Sequence, residues 1–173
     1  RNLECSYTDA NGKTLVVKTL DIPAGKLVFL LGASGAGKST LLETLGLMNK
    51  TIASGEVLFY PAENVPPIDF TKLWRSGNSK AITDIRKKNF SFIFQNTNLM
   101  ENFTAYENVC LSGMIKNDLS QGQVLVNARK IMETVKLPES EVSLSTLAAN
   151  LSGGQRQRLS FVRALNTDAG VLY

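Results

Sequence analysis

Apolar runs in the first part of the chain predict short strands, turns and one helix. Residues 15–17 and 27–31 are wholly apolar and flank the turn-forming segment 23–26. The second run lacks polar alternation, which is typical of a central strand covered on both faces. A glycine-rich segment then leads into Leu41, Leu42, Leu45 and Met48, which are spaced for one helix face. The predicted order is strand, loop, helix.

The pattern changes from strand to helix near Gln95. Residues 55–60 and 89–94 have strand character, whereas residues 61–80 hold three prolines without a clear period, which predicts an exposed insertion. Thr104-Ala-Tyr-Glu107 and Ser120-Gln-Gly-Gln123 match the capping box and predict two helix starts. An apolar stripe follows the second cap and is interpreted as core; it consists of Val124, Leu125, Ala128, Ile131, Met132 and Val135.

Composition favours one principal globular domain in a reducing compartment. Of 173 residues, 43% are hydrophobic and 20% are charged. The net charge of +4 is spread along the chain, so nucleic-acid binding is not indicated. Cys5 and Cys110 lie far apart, and the chain has no histidine, so no metal-ligand pattern is present. No apolar run approaches the roughly 18 residues of a spanning helix, and no signal peptide is recognised at the amino terminus.

Residues 32–39 match the phosphate-loop pattern GxxxxGK[ST] between the predicted strand and helix. Backbone amides and the positive end of the helix would face phosphate oxygens, while Lys38 reaches the β- and γ-phosphates and Ser39 ligates Mg²⁺. The alternative is a glycine-rich turn that only caps the helix. The candidate nucleotide ligands here are Gly32, Ser34, Gly35, Ala36, Gly37, Lys38, Ser39 and Thr40.

A second motif, Leu151-Ser-Gly-Gly-Gln155, opens a predicted helix. Ser152 and Gln155 have capping-box spacing, so the residues alone support a helix start whose exposed amides can hold an anion. Arg156, Arg158 and Arg163 follow at helical spacing and are interpreted as solvated or paired structural residues.

The phosphate loop, an intervening Gln and LSGGQ together resemble the ABC ATPase family over nearly the whole chain. The resemblance implies an α/β fold, with a P-loop NTPase core around a central, mainly parallel sheet and an inserted helical subdomain. In that family the signature of one domain closes on ATP held by the phosphate loop of a second domain. Ser152, Gly153, Gly154 and Gln155 are therefore candidate ATP contacts across a head-to-tail dimer.

Two further residues take candidate roles from the same resemblance. Gln95 resembles the Q-loop residue that links Mg²⁺ and attacking water to the membrane partner, so it joins Lys38 as a catalytic candidate and Ser39 as a metal candidate. Tyr7 resembles the aromatic residue that stacks on adenine. Their alternatives are a polar residue ending a strand and a tyrosine packed in a strand.

The end of the printed chain departs from the family pattern. Residues 171–173 resemble the opening of the Walker B strand, but the Mg²⁺-ordering aspartate, the water-activating glutamate, the D-loop and the switch histidine do not follow. We expect that the natural polypeptide continues, because a boundary inside a central strand leaves an open sheet edge. A chain ending at Tyr173 is expected to bind nucleotide weakly and to hydrolyse it poorly.

The resemblance implies the ATP-binding subunit or domain of a membrane transporter, peripheral on the cytoplasmic face. Its cofactors would be ATP and Mg²⁺, and its partners a second ABC ATPase domain and a transmembrane subunit, with no nucleic acid. Residues 1–95 would form the nucleotide-binding core, 96–150 the helical subdomain and 151–173 the signature region. Residues 92–100 and 104–109 resemble the macrolide-efflux and lipoprotein-releasing branch.

Other classes fit less well or remain open. A GTPase is disfavoured because the DxxG segment 9–12 precedes the phosphate loop and no NKxD is present. Repair-type ABC proteins carry long coiled coils between the motifs, and no sustained heptads occur here. A translation-type ABC ATPase and a non-hydrolysing regulatory module stay open as alternatives.

Overall fold

The computed structural model describes residues 1–6, 15–117 and 120–173, which group into two compact units, Arg1–Arg86 and Lys87–Tyr173. The first contains β1 (Leu3–Cys5), β2 (Leu15–Val17), α1 (Lys38–Leu45), β3 (Ile52–Ser54), β4 (Leu58–Phe59), β5 (Ile68–Asp69), α2 (Phe70–Arg75) and most of α3 (Ser79–Asn89). The second contains β6 (Phe90–Ser91), α4 (Ala105–Asn117), α5 (Gln121–Thr134), a 3-10 turn (Ala148–Asn150), α6 (Gly153–Leu165) and β7 (Val171–Leu172).

The first unit has a three-stranded antiparallel sheet in the order β2-β1-β3. Leu3 and Cys5 of the central strand are buried while Glu4 is exposed, as expected for a strand with one covered face. Helix α1 lies on the covered face, where the Thr44 hydroxyl donates to Cys5 Sγ at 3.6 Å and contacts the hydroxyl of Thr51. This sheet anchors the helix that follows the phosphate loop.

The predicted central strand at residues 27–31 is wrong as an element. None of the sheets formed by the described residues includes this run, and the exposed fractions of Leu27 and Leu31 are 81% and 87%. A segment becomes a β-strand only when a neighbouring strand completes its ladder of backbone hydrogen bonds. An apolar run predicts burial but not which segment lies beside it, and the described chain places no strand alongside.

The prediction of an exposed insertion at residues 61–80 is also wrong in part. Strand β5 pairs antiparallel with β4, and the Asp69 carboxylate accepts from the amides of Thr71 at 2.9 Å and Lys72 at 3.1 Å to start α2. Phe70 is buried against Phe59, with ring centroids 5.9 Å apart. A six-residue helix is too short to show a period, so the capping aspartate was the available signal.

Three helices form the core of the second unit, as the sequence predicts. Both predicted caps are present: Glu107 and Thr104 bond reciprocally at the start of α4, and Ser120 and Gln123 form a capping box on α5. The stripe on α5 lies in the core, as predicted. The buried cluster comprises Ala105, Val109, Ala128, Met132, Leu137, Val142, Leu151, Leu159 and Val162.

The second unit also contains a parallel strand pair, β6 with β7, in which Phe90 lies opposite Val171. The predicted strand at 89–94 is shorter than expected, since α3 extends through Asn89. The strand predicted near residue 171 is confirmed. The Tyr173 ring packs on Phe90 and Phe92 at centroid distances of 5.7 and 5.4 Å, and burial raises its pKa to about 12.

Candidate functional site

The phosphate loop is an exposed turn that leads directly into α1. Residues 32–36 are exposed, and Gly35 and Gly37 have φ values of 77° and 86°, in the left-handed region that favours glycine. A Cβ added to Gly37 would also lie 3.1 Å from Leu15 Cδ1. The backbone path of this motif therefore requires glycine at both positions.

The amino-terminal turn of α1 presents backbone donors. Among the described residues no side chain caps this helix, and its first intrahelical bond runs from the Leu41 amide to the Gly37 carbonyl at 2.9 Å. The amides before Leu41 have no partner within the helix, and they lie at its positive end. Ser39 places an exposed hydroxyl on the same turn, next to the half-buried Thr40. This donor set suits an anion.

Lys38 adds a full positive charge at the loop. Its ammonium donates to the carbonyl oxygens of Gly32 at 2.8 Å and Ala33 at 2.7 Å, so the side chain returns across the turn. Three rotatable donors allow an ammonium to keep one backbone bond while contacting a phosphate oxygen. The residues present therefore fit the triphosphate that the motif predicts.

The signature segment forms the capped start of α6. Ser152 is the N-cap: its hydroxyl oxygen accepts from the Gln155 amide at 3.3 Å, and Gln155 Oε1 accepts from the Ser152 amide at 3.0 Å. Ser152, Gly153 and Gly154 are all exposed, and a Cβ built on Gly153 would have no atom of the described residues within 4 Å. A second chain can therefore approach this backbone closely.

Gln155 is held at both ends of its amide. Besides the cap bond, Gln155 Nε2 donates to Glu141 Oε1 at 3.3 Å, and the same oxygen accepts from Arg158 at 2.8 Å. The side chain is thus engaged within its own unit. Sequence reasoning missed Glu141, because a loop residue 14 positions away carries no local signal.

Gln95 lies exposed in the bend after β6, on one wall of a depression of about 490 Å³ within the second unit. The walls also include Glu101, Gly153 and Arg156. The structure therefore brings Gln95 and the start of the signature helix to one depression, although Gln95 and Gly153 are 58 positions apart in the sequence. Polar groups from both elements face this space.

The three arginines on α6, interpreted from the sequence as solvated or paired structural residues, each bond a carboxylate or a backbone carbonyl within the second unit. Arg156 donates to the Leu151 carbonyl at 3.1 Å and pairs with Glu101 at 3.6 Å, while Arg158 pairs with Glu141. Arg163 donates to two backbone carbonyls, described below. These cations are engaged within the unit.

The structure describes neither the adenine-stacking candidate nor, among the described residues, a metal-ligand cluster or a spanning helix. Tyr7 lies outside the described residues. Among residues 1–6, 15–117 and 120–173, no cluster of three or more histidine, cysteine or carboxylate side chains is placed to bind a metal ion. Within the same ranges, no helix has the length and apolar character needed to cross a bilayer.

Comparison with known proteins agrees with the two motifs. A family model described as "ABC transporter" matches residues 16–173. The lipoprotein-releasing system ATP-binding protein LolD of Idiomarina loihiensis is 36% identical over 95% of this chain and 66% of its own length. The macrolide export ATP-binding/permease protein MacB of Shigella sonnei is 33% identical over 99% of this chain and 24% of its own. This chain thus spans about two thirds and one quarter of these relatives.

A dimeric structure of the bacterial ABC transporter cassette MJ0796 resembles the fold, with a TM-score of 0.78 and 29% identity over 99% of this chain and 70% of that one. A second dimeric structure of that cassette, bound to ADP and Pi, gives a TM-score of 0.76. These matches confirm the α/β P-loop NTPase fold predicted from the sequence. Because the family model spans almost the whole sequence and the two motifs lie in order within it, the chain belongs to the ABC transporter family.

Proposed function

We propose that this chain is the ATP-binding part of an ABC transporter and that it couples ATP binding and hydrolysis to movement of a substrate across a membrane. The observation that most directly supports ATP binding is the position of the Lys38 ammonium, which bonds two loop carbonyls beside the start of α1. The relatives named as ATP-binding proteins of lipoprotein-releasing and macrolide-export systems support the transport role.

In this proposal each residue of the loop has a defined task. The backbone amides from Gly32 to Thr40, including those of Ser34, Gly35, Ala36 and Gly37, bind phosphate oxygens, and Lys38 offsets charge at the β- and γ-phosphates. Ser39 is a candidate ligand of Mg²⁺. Bound to ATP, Mg²⁺ would supply Lewis-acid stabilisation of the charge that develops as the γ-phosphoryl group passes to water.

Gln95 has the second catalytic role in the proposal. Its exposed amide can offer an oxygen to Mg²⁺ and a donor or acceptor to the attacking water. Tyr7 is proposed to stack on adenine. Both assignments follow from the family pattern.

The signature would act on nucleotide held by a second copy of the domain. Exposed Ser152, Gly153 and Gly154 offer a hydroxyl and helix-start amides to the partner's γ-phosphate. Gln155 supports this surface by holding the cap. A transmembrane subunit would complete the assembly at the cytoplasmic face.

The loop assignment is tested by equilibrium binding of a fluorescent ATP analogue and by phosphate release, with the natural polypeptide at full length. Lys38→Ala removes charge-assisted bonds and should weaken binding about tenfold or more. Lys72→Ala is the matched control, because Lys72 is exposed and pairs with Asp69 at 3.4 Å. Equal binding by both variants would contradict the proposal. Binding without hydrolysis in the parent protein would favour the non-hydrolysing regulatory alternative.

The dimer is tested by mixing two inactive variants. Lys38→Ala disables the loop, and Gly154→Asp places a carboxylate at the signature surface. If each ATP contacts the loop of one copy and the signature of the other, mixed dimers regain one intact site and show ATPase activity. A mixture as inactive as either variant alone would exclude action across the dimer.

A further inference from the structure

The segment that follows Gln95 is fastened to the signature helix by one arginine. In Arg163, on the last turns of α6, one terminal guanidinium nitrogen donates to the Asn98 carbonyl at 2.6 Å and the other to the Thr97 carbonyl at 2.7 Å. The two carbonyls belong to consecutive residues and lie more than 60 residues away in sequence. The guanidinium thus bridges two elements of the second unit.

The local backbone explains why one guanidinium reaches both oxygens. Consecutive carbonyls point in opposite directions in an extended strand but in nearly the same direction in a helical conformation. Asn98 has a φ of 48°, in the left-handed helical region that asparagine tolerates. The Thr97 and Asn98 carbonyls are thereby aligned for the planar fork of an arginine, which a lysine ammonium does not match.

Burial strengthens this contact. Desolvation lowers the pKa of Arg163 from its usual value, yet an arginine starts so high that it stays protonated at neutral pH. Two charge-assisted bonds to neutral carbonyls compensate the desolvated charge. Loss of the guanidinium would leave both oxygens without these donors.

A second attachment lies at the other end of α6. Glu101 pairs with Arg156 at 3.6 Å, and its carbonyl accepts from the Ala149 amide at 3.2 Å, beside the start of the helix. Residues 97–101 therefore follow α6 from its last turns toward its signature end. The segment is held at two points along one rigid element.

We propose that Arg163 is a positioning residue that holds the segment following Gln95 on α6, so that the signature helix and Gln95 move as one body. The inference rests on the proposed function, in which Gln95 acts on Mg²⁺ and water at the nucleotide. Ser152 precedes Arg163 by about three helical turns. Binding of Ser152 to a second copy would then change the position of Gln95 through α6 and the Arg163 contacts with Thr97 and Asn98, which we call the clamp.

The test uses a nitroxide spin label at Asn96→Cys, an exposed position between Gln95 and the clamp, in the full-length natural polypeptide. Arg163→Met removes both bonds, and Arg163→Lys keeps the charge but loses the fork. We expect both variants to increase label mobility, Arg163→Met more strongly. Arg129→Met is the matched control, because Arg129 lies on α5 and forms an exposed pair with Glu139, so its replacement should leave the label mobility unchanged.

Activity supplies a second readout that loss of stability alone would not produce. At saturating nucleotide, Arg163→Met should lower kcat by about 10- to 100-fold, the size of effect expected when a catalytic group is misplaced by about 1 Å. The Mg²⁺ concentration for half-maximal activity should rise, since Gln95 is a proposed ligand. Affinity for the ATP analogue, attributed to the loop, should stay within about twofold, because Lys38 and the α1 amides are untouched.

The outcomes separate this inference from the proposed function. Unchanged label mobility in both Arg163 variants would overturn the clamp, whatever their turnover. Normal turnover in Gln95→Ala would instead overturn the catalytic role of Gln95, while the label still decides the clamp. If Arg163→Met does not fold, Arg163→Lys and Asn98→Gly replace it. Asn98→Gly frees the backbone that aligns the carbonyls, so it should also raise mobility.

Discussion

The side-chain amide of Asn108 bonds both backbone groups of Met100. Its Oδ1 accepts from the Met100 amide at 2.8 Å, and its Nδ2 donates to the Met100 carbonyl at 3.0 Å. The same Nδ2 reaches the Thr104 carbonyl at 3.0 Å, so one side chain on α4 closes the loop that leads into that helix. Asn108 is fully buried.

Replacing this side chain should be costly. Asn108→Ala removes the hydrogen bonds of this buried side chain to Met100 and Thr104 and leaves the Met100 amide without its acceptor. At about 0.5–1.5 kcal/mol for each bond, we expect the free energy of unfolding to fall by about 2–4 kcal/mol. Urea denaturation of the full-length protein measures it. Asn127→Ala, at an exposed position of α5, should change stability by less than about 0.5 kcal/mol. A loss below about 1 kcal/mol at Asn108 would show that the loop does not depend on it.

Two glycines within helices should respond to alanine with different outcomes. A Cβ on Gly113 of α4 would lie 2.9 Å from Val124 Cγ1 and 3.0 Å from the Asn166 carbonyl oxygen, whereas a Cβ on Gly122 of α5 has no atom of the described chain within 4 Å. Alanine at either position should stabilise the helix by about 0.5–1 kcal/mol, because alanine has the higher helix propensity. Only Gly113→Ala also overpacks the core, which should cost about 1–3 kcal/mol. Thermal unfolding should therefore rank Gly122→Ala above Gly113→Ala. The reverse order would refute the close packing of α4 on α5.

The capping boxes of α4 and α5 should differ in how their contribution to stability depends on pH. The Glu107 carboxylate accepts from the Thr104 amide and hydroxyl, and the amide bond chiefly lowers its pKa. A group with a lowered folded pKa contributes stability above its unfolded pKa, about 4.3 for Glu, and loses it as pH falls through the folded pKa.

The stability difference between the parent and Glu107→Gln should therefore be present at about pH 6 and vanish in acid below the folded pKa of Glu107. Melting temperatures across this range measure it. Gln123→Ala removes the uncharged cap residue of α5, and its effect should show no such dependence. A Glu107 effect that stays constant into acid would mean that the carboxylate charge does not support the cap.

The bond between Gln155 and Glu141 predicts a charge conflict that a second change relieves. Gln155→Glu preserves the capping acceptor but replaces the donor to Glu141 with a second carboxylate. Because both side chains are partly exposed, the free energy of unfolding should fall by only about 0.5–1 kcal/mol. Glu141→Gln in the same chain should restore most of it, and the coupling is read from a double-mutant cycle. Additive effects would show that the two side chains do not interact.

Sequence prediction was accurate where a feature depends on residues that are close together along the chain. The caps at Thr104, Ser120 and Ser152 depend on residues three positions apart, and all three are formed. The apolar stripe of α5 was likewise correct, because helical period is a local property. Local chemistry therefore identified the helical core and the start of the signature helix.

Features that depend on distant segments were not predictable in the same way. The run at 27–31 has the composition of a central strand, but pairing partners decide whether a strand forms. The fork of Arg163 depends on a left-handed Asn98 and on a helix more than 60 residues away, and it had no local signature. The phosphate loop and LSGGQ were enough to predict the family from the sequence. The contacts of Glu141 and Arg163 became visible only in the folded structure.

The parallel pairing of β6 with β7 sets an order of events during synthesis. The paired residues are about 80 positions apart, so at 5–20 residues per second β6 leaves the ribosome roughly 4–16 s before its neighbour. Until then the backbone groups of β6 that pair with β7 are open to other chains, and exposed strand edges template aggregation. Translation speed across residues 92–170 thus governs how long β6 stays exposed without β7.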